Sequence, residues 1–458
     1  RRLCVVWSSS GDTRTRCDSS SSHAEPPPNT LRRRLTPIGR LSLYSETKAN
    51  PSIGAAVLQL SGQPLGKAEL AKRLDATLCA SSFRFRSLLD ETTGEFHDED
   101  PDFSSAAVMT EVDKECDFAE VATLLLEPFA KDKPRWDVRL FFNAQQQRGT
   151  ALLLRCHHAL ADGVSVGALL ADVSDQADEC RALVGAEVAK RRTPQRKKKS
   201  LLRKLKLLLL AACQFVVVLL RGLQALFAER PFRLKTAASP KRSVAWVHDF
   251  ATVGDLKFNK NKATVNDVFA AIVAGGLATE HTTAKTVAAA FPIHLCGGVL
   301  PPGVDVGNNI GAVLCPLSLE VKDPLKHLAL VSREVGATLR GGVAPVASYY
   351  FALFSVAVLP TAWLPVVLKS FSSAASAALT NVRGPPIALT ICGRPVDDIV
   401  PFLPPPPGVP VGIALTTVAG KASLSVNADA AAFDAPALLD AILAHFYRLK
   451  HHHHQQQG

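Results

Sequence analysis

The run HHALADG at positions 157–163 sets two adjacent histidines just ahead of an aspartate and a glycine, directly after the apolar segment 150–155. A neutral alcohol attacks a thioester carbonyl poorly, so acyl transfer to a hydroxyl requires a group that takes the proton during attack. Histidine, with an ordinary pKa near 6.5, is the side chain best matched to that task at neutral pH. The pattern therefore points to an acyltransferase. Successive side chains on an extended segment point to opposite sides, so one histidine can face a cleft while its neighbour packs. We assign His158 as the general base and His157 as its packing partner. Asp162 reads as structural: it caps the following helix or holds an arginine, and so fixes the turn that aims the imidazole. Gly163 permits a close backbone approach or a positive φ. A Ser/His/Asp triad is the weaker competitor. GxGxxG, a Walker loop and HExxH are absent, so nucleotide hydrolysis and zinc chemistry have no signature here and no metal site is expected.

The elements that must position these residues follow from periodicity. A buried strand over 150–155 and a helix over 165–178, with Val166, Leu169, Leu170 and Val173 at helical spacing, put the motif in a strand-to-helix connection. Upstream, 53–60 reads as a strand, 67–78 as a helix and the acidic 95–102 as a loop, with further elements near 121–126 and 136–143. Downstream, 245–250 and 286–294 read as strands and 265–277 as a helix. The uncharged stretch 341–368 contains Pro345, Pro360 and Pro365 and reads as kinked apolar helices, lining an acyl-chain tunnel or filling a core.

The chain has 458 residues, 47% of them hydrophobic and 20% charged, enough for two or three folded domains. Its ten cysteines show no CxxC and read as reduced thiols in a cytosol-facing protein. The net charge of +11 suggests a nucleic-acid binder until its distribution is read: ten basic residues and no acid lie between Lys190 and Lys206, so the folded body is nearly neutral. No nucleic-acid partner is expected. After that basic run, 207–220 is uncharged. Fourteen residues are short for a span, since roughly 20 are needed to cross a bilayer. An interfacial helix fits better, its basic flank against anionic headgroups at about 1 kcal/mol per cation. A solvated charge run beside a buried helix, a nuclear-localisation mimic and a span including Arg221 remain alternatives. Residues 1–40, with Ser, Pro and Arg runs, read as a disordered or targeting leader, and 451–458 as a tail.

HHALADGVS resembles the catalytic motif of the wax ester synthase/diacylglycerol acyltransferase family, within the superfamily of CoA-dependent acyltransferases and condensation domains. Other segments resemble it in order: FRFRSLL at 83–89, EDPDF at 99–103, KPRWDVRLF around Trp136, TVNDVFAAIVAGGL at 264–277, GNNIGAVLCPL at 307–317 and TNVRGPP at 380–386. The family often has Leu where Arg135 stands. The resemblance implies an α/β fold of two chloramphenicol-acetyltransferase-like mixed-sheet domains, 41–180 and 241–450, joined by a helical, partly membrane-associated connector over 181–240. It implies a channel between the domains with His158 at its bottom, acyl-CoA as co-substrate with no bound cofactor, and a fatty alcohol or diacylglycerol as acceptor. Asn266 is a candidate oxyanion donor, and Asn266 and Asp267 are equally a helix cap. Gly307 and Gly311 are expected in a turn. The implied function is an O-acyltransferase making wax ester, triacylglycerol or both. The implied setting is a cytosol-facing membrane surface, endoplasmic reticulum or lipid droplet, reached through 190–228. A non-catalytic lipid-binding or lipid-droplet surface protein of the same fold, and an acyltransferase with another acceptor, are the competing readings.

Overall fold

A computed structural model describes residues 33–455, except 98, 143–148, 259–262, 281–283, 302–303, 322 and 340–342 and the stretch 193–237, where it describes 209, 213, 216, 220 and 232. In chain order, β1 (Arg33–Arg34) and α1 (Pro37–Ser45) lead to β2 (Ile53–Leu60), α2 (Lys67–Leu74), β3 (Leu88–Asp90), β4 (Glu95–His97), β5 (Met109–Val112), α3 (Phe118–Leu124), β6 (Trp136–Phe141) and β7 (Thr150–His157). The motif then enters α4 (Gly163–Val173) and α5 (Ala177–Arg192). The second half runs β8 (Arg242–Thr252), α6 (Val265–Leu277), β9 (Thr286–His294), β10 (Ile310–Ser318), α7 (Pro324–Leu339), α8 (Val343–Val358) and α9 (Leu364–Ser372). It closes with β11 (Ala377–Arg383), β12 (Leu389–Ile391), β13 (Arg394–Phe402), β14 (Val411–Val418), β15 (Lys421–Asp429) and α10 (Ala435–Gln455).

Two six-stranded mixed sheets result, ordered β12-β13-β2-β7-β6-β5 and β10-β9-β11-β14-β15-β8, with β1, β4 and β3 forming a small third sheet. β7 is central to the first sheet and all eight of its residues are buried, which is why Ala151–Leu154 are apolar on both faces. Leu152, Leu154 and Cys156 pack on one face with Leu169, Leu170 and Val173 of α4; Leu153 packs on the other with Val121 and Leu124 of α3. The second sheet buries a face under α6, α7 and α10. Gly275 and Gly276 let α6 touch α10: a Cβ on them would lie 2.3 Å from His445 and 2.4 Å from Ile442 respectively.

The two halves are interleaved rather than merely adjacent. β13 leaves the second half and pairs antiparallel with β2, completing the first sheet. Polar side chains of β15 then reach it: Asn427 Nδ2 donates to Leu403 O at 3.0 Å, and Ser423 Oγ donates to the Asp398 carboxylate at 2.7 Å. Division at 240 therefore assigns 389–402 to the wrong sheet. Two further boundaries shift. Residues 37–40 belong to α1, and α10 continues through 451–455.

Other expectations change locally. The acidic segment 95–102 opens with β4, because Glu95, Phe96 and His97 pair with β3. The helix expected over 165–178 is two, α4 and α5, separated by a break after Val173. The element near 121–126 is the helix α3, capped by Asp117, whose Oδ1 accepts from Glu120 N at 2.7 Å. The stretch 341–368 is α8, a short 3-10 turn at Thr361–Trp363 and the start of α9, bent as its prolines require. Most of the basic run and of 207–228 lies outside the described residues. Leu209, Cys213, Val216 and Leu220, the described positions of that stretch, are helical and exposed.

Candidate active site

The motif turn is built from three sides. From the strand, His157 N donates to Arg135 O at 2.9 Å and His158 N to Ser52 O at 2.7 Å, so both histidines leave β7 on a backbone pinned to its neighbours. Trp136, fully buried in β6, holds that neighbour by donating Nε1–H to Phe85 O at 2.8 Å. Arg155, also fully buried, is neutralised by Asp137 and hydrogen-bonds the carbonyls at the end of α3. A buried cation without such partners would cost several kcal/mol.

His157 is more than a packing partner. Its Nδ1 accepts from Ala159 N at 3.0 Å, which leaves the ring proton on Nε2, 3.0 Å from Glu46 Oε2. Burial works to raise the Glu46 pKa, and the His157 hydrogen bond together with Ser52 N overcomes it, so the carboxyl is held below its ordinary value. The brace is an imidazole held between a backbone amide and a carboxylate.

His158 is half-buried, with Nδ1 buried and without a hydrogen-bond partner. Burial lowers its pKa below 6.5, against the nearby Asp162 carboxylate and the residue's own carbonyl, which favour a proton on the ring. It is therefore neutral at pH 7, the form a base needs.

Asp162 caps α4, its Oδ1 accepting from Ser165 N at 2.8 Å, a contact worth about 1 kcal/mol. Its other oxygen points across to the second half of the chain: Oδ2 accepts from Asn309 N at 3.0 Å and lies 3.7 Å from His294 Nε2. Among the described residues no arginine is paired with it. Burial lowers the His294 pKa, and Asp162 pulls it up. Asn308 sits beside them, donating Nδ2–H to the carbonyls of His158 at 2.7 Å and Ala159 at 3.3 Å. The turn bearing His158 is thus half made by residues 307–309. α1 closes the third side, since a Cβ on Gly39 would lie 2.8 Å from Ala159 O.

Gly163 has no positive φ; it serves the close approach, with Val382 Cγ2 at 3.1 Å from where a Cβ would stand. Gly311 likewise lies within β10 rather than in a turn, against Pro345 O of α8. Residues 163–167, GVSVG, carry the GxSxG spacing of a serine nucleophile elbow, so a serine mechanism has to be judged on geometry. Ser165 is wholly buried in the first turn of α4, donating to Gly307 O at 2.9 Å and accepting from Gly307 N at 3.2 Å. Among the described residues its hydroxyl is engaged by the backbone of Gly307, and no histidine is hydrogen-bonded to it.

Asn266 and Asp267 resolve toward the structural role. Thr264 and Asp267 form a reciprocal capping box at the start of α6, Asp267 Oδ2 accepting from Thr264 N at 2.8 Å. Asn266 Oδ1 accepts from Asn381 Nδ2 at 2.7 Å, joining the VND and TNVRG segments. No described contact joins either residue to His158. The local pattern gave no sign of Glu46, Asn308, Asn309 and His294. The GNN at 307–309 was the available signal, since two asparagines at a strand start are poor strand formers and ready donors.

The chain matches two family models: the wax ester synthase/diacylglycerol acyltransferase catalytic domain over residues 114–268 and the WS/DGAT C-terminal domain over 306–450. Among curated relatives, wax ester synthase/diacylglycerol acyltransferase 11 of Arabidopsis thaliana is 25% identical over 355 residues, 68% of this chain and 71% of that protein. Number 9 of the same plant is 24% identical over 376 residues, 70% and 74% respectively. The solved wax ester synthase/diacylglycerol acyltransferase from Marinobacter aquaeolei VT8 superposes with a TM-score of 0.62 at 16% identity, covering 92% of this chain and 100% of that one. A trichothecene 15-O-acetyltransferase from Fusarium sporotrichioides superposes with 0.63 at 10%, covering 91% and 95%. The architecture of two mixed sheets is common to all three.

Proposed function

Because the chain belongs to the wax ester synthase/diacylglycerol acyltransferase family and is an acyltransferase, we propose that it moves a fatty acyl group from acyl-CoA to a long-chain alcohol, to diacylglycerol, or to both. The observation that carries this reading is His158: a neutral, half-buried imidazole on a turn fixed by Glu46 through His157, by Asp162 and by Asn308.

In the reaction, His158 Nε2 takes the hydroxyl proton as the alcohol oxygen attacks the thioester carbonyl. A tetrahedral oxyanion forms, collapses to the ester and breaks the carbon–sulfur bond. The imidazolium returns its proton to the departing CoA thiolate, so no covalent acyl-enzyme is needed. His157 and Asp162 hold the base rather than touch the substrate, and Gly163 gives α4 its close seat on β11. We place the protein at a cytosol-facing membrane surface, of the endoplasmic reticulum or a lipid droplet, where such acceptors dissolve. The cationic run that begins at Lys190 supports that placement.

The test offers one long-chain acyl-CoA with hexadecanol and diacylglycerol in competition and separates the products. Wild type is expected to release CoA and form ester, and His158→Ala to lose at least about 100-fold in rate. Ester formation that survives His158→Ala would sink the assignment of the base; lipid binding without CoA release would favour a non-catalytic lipid-binding protein.

A further inference from the structure

α8 shows solvent a face that is apolar at every step. Tyr350, Leu353, Phe354, Ala357 and Val358 are exposed at spacing i, i+3, i+4, i+7 and i+8, while Pro345, Ala347, Ala352 and Ser355 are buried behind them. A surface helix normally presents the reverse arrangement. The exposure continues past the bend, where Trp363 is 61% and Val366 58% exposed. Scattered apolar side chains need no explanation, but a continuous exposed stripe marks a contact surface.

The position of this face is informative. α8 and α9 pack on α1 through Leu41, Ala352 and Leu364, and their rings meet at Phe351–Phe371, 4.8 Å apart. α1 lies on the motif turn at Gly39, and the base of α8 seats Pro345 on Gly311, next to the asparagines that hold that turn. The apolar face therefore belongs to helices that pack, through α1 and β10, against the surroundings of the motif turn.

Its charge is one-sided. Across 37–45 and 343–372 the charged side chains are Arg40 and Lys369, with no acid. Arg40 is turned toward Gly94 and Tyr44, and Lys369 is the exposed cation beside the apolar ridge; a cation with no acid on its helix complements anionic headgroups over acyl chains, and a tryptophan at the bend suits the headgroup boundary. No single described helix is long and apolar enough to cross a membrane, so such a surface would be met by lying on it.

We propose that the exposed face of α8 and α9 docks on a lipid surface, inserting Leu353, Phe354, Val358, Trp363 and Val366, and that docking holds the helices packed around the motif turn against the layer holding the acceptor. In sequence this surface is distinct from the basic connector. The purpose given to docking rests on the acyl transfer proposed above; the docking itself does not.

Flotation of the full chain with vesicles of phosphatidylcholine and phosphatidylserine tests it. Phe354→Ser with Trp363→Ser is expected to lower partitioning at least about tenfold, with an unchanged melting temperature. Acyl transfer to a detergent-dispersed acceptor stays at the wild-type rate, and transfer to a vesicle-borne acceptor falls in parallel with binding. Lys197→Gln, Lys198→Gln and Lys199→Gln together report the connector: high salt abolishes their effect but leaves that of Phe354 and Trp363. A wild type that does not float, a double variant that floats as well, or one that instead loses self-association in solution overturns the docking. Flotation without ester formation on any acceptor would leave docking in place and remove the acyl-transfer reading.

Discussion

His158 works through what surrounds it. A free imidazole would be half protonated at pH 6.5, whereas burial holds this ring neutral below that pH. A base is lost as pH falls through its own pKa, so the acid limb of kcat/KM is expected below pH 6.5. Asp162→Asn, which keeps a cap on α4 but removes the charge that raises the His158 pKa, is expected to move the limb lower still. A pH–rate profile of both proteins checks this, and a wild-type limb at or above pH 7 contradicts it. The pair of histidines was legible in the sequence. What His157 does was not legible, because its partner Glu46 lies 111 positions earlier and belongs to no motif. The same holds for His294, a strand-end histidine whose significance appears only when the second half of the chain is folded against Asp162.

At the scale of elements, the sequence was most readable where a segment meets only its own pattern. β2, β9 and α6 fall where apolar periodicity and the Thr264 cap place them. It was least readable where a partner decides. β4 is three residues drawn from an acidic loop into pairing with β3, and β13 carries no local mark of which sheet it joins. Glycines show the same dependence: Gly276 is an ordinary helix position except that α10 lies against it. A Cβ there would stand 3.0 Å from Ile442 N and 3.1 Å from its Cα, atoms that cannot swing aside. Gly276→Ala is therefore expected to destabilise by about 1–3 kcal/mol despite its better helix propensity. Urea denaturation measures it, and a loss under about 0.5 kcal/mol would mean α10 yields.

At the scale of the molecule, two halves of similar architecture share a strand. β13 pairs along β2, and its Val400 and Ile399 join the clusters that bury Val57 and Leu58. Residues 33–240 expressed alone are expected to lack a cooperative melting transition and to regain one when 241–458 is supplied in the same cell. A fragment that melts cooperatively by itself would show that the crossing is dispensable. The side chain of Asn308 carries this interdependence to the reacting group, because it fastens a carbonyl of the first half from the second. The two halves cannot part at this seam without releasing the turn that carries His158. Integrity of this seam and placement of the imidazole are thereby one property: whatever parts 307–309 from the motif also unseats His158.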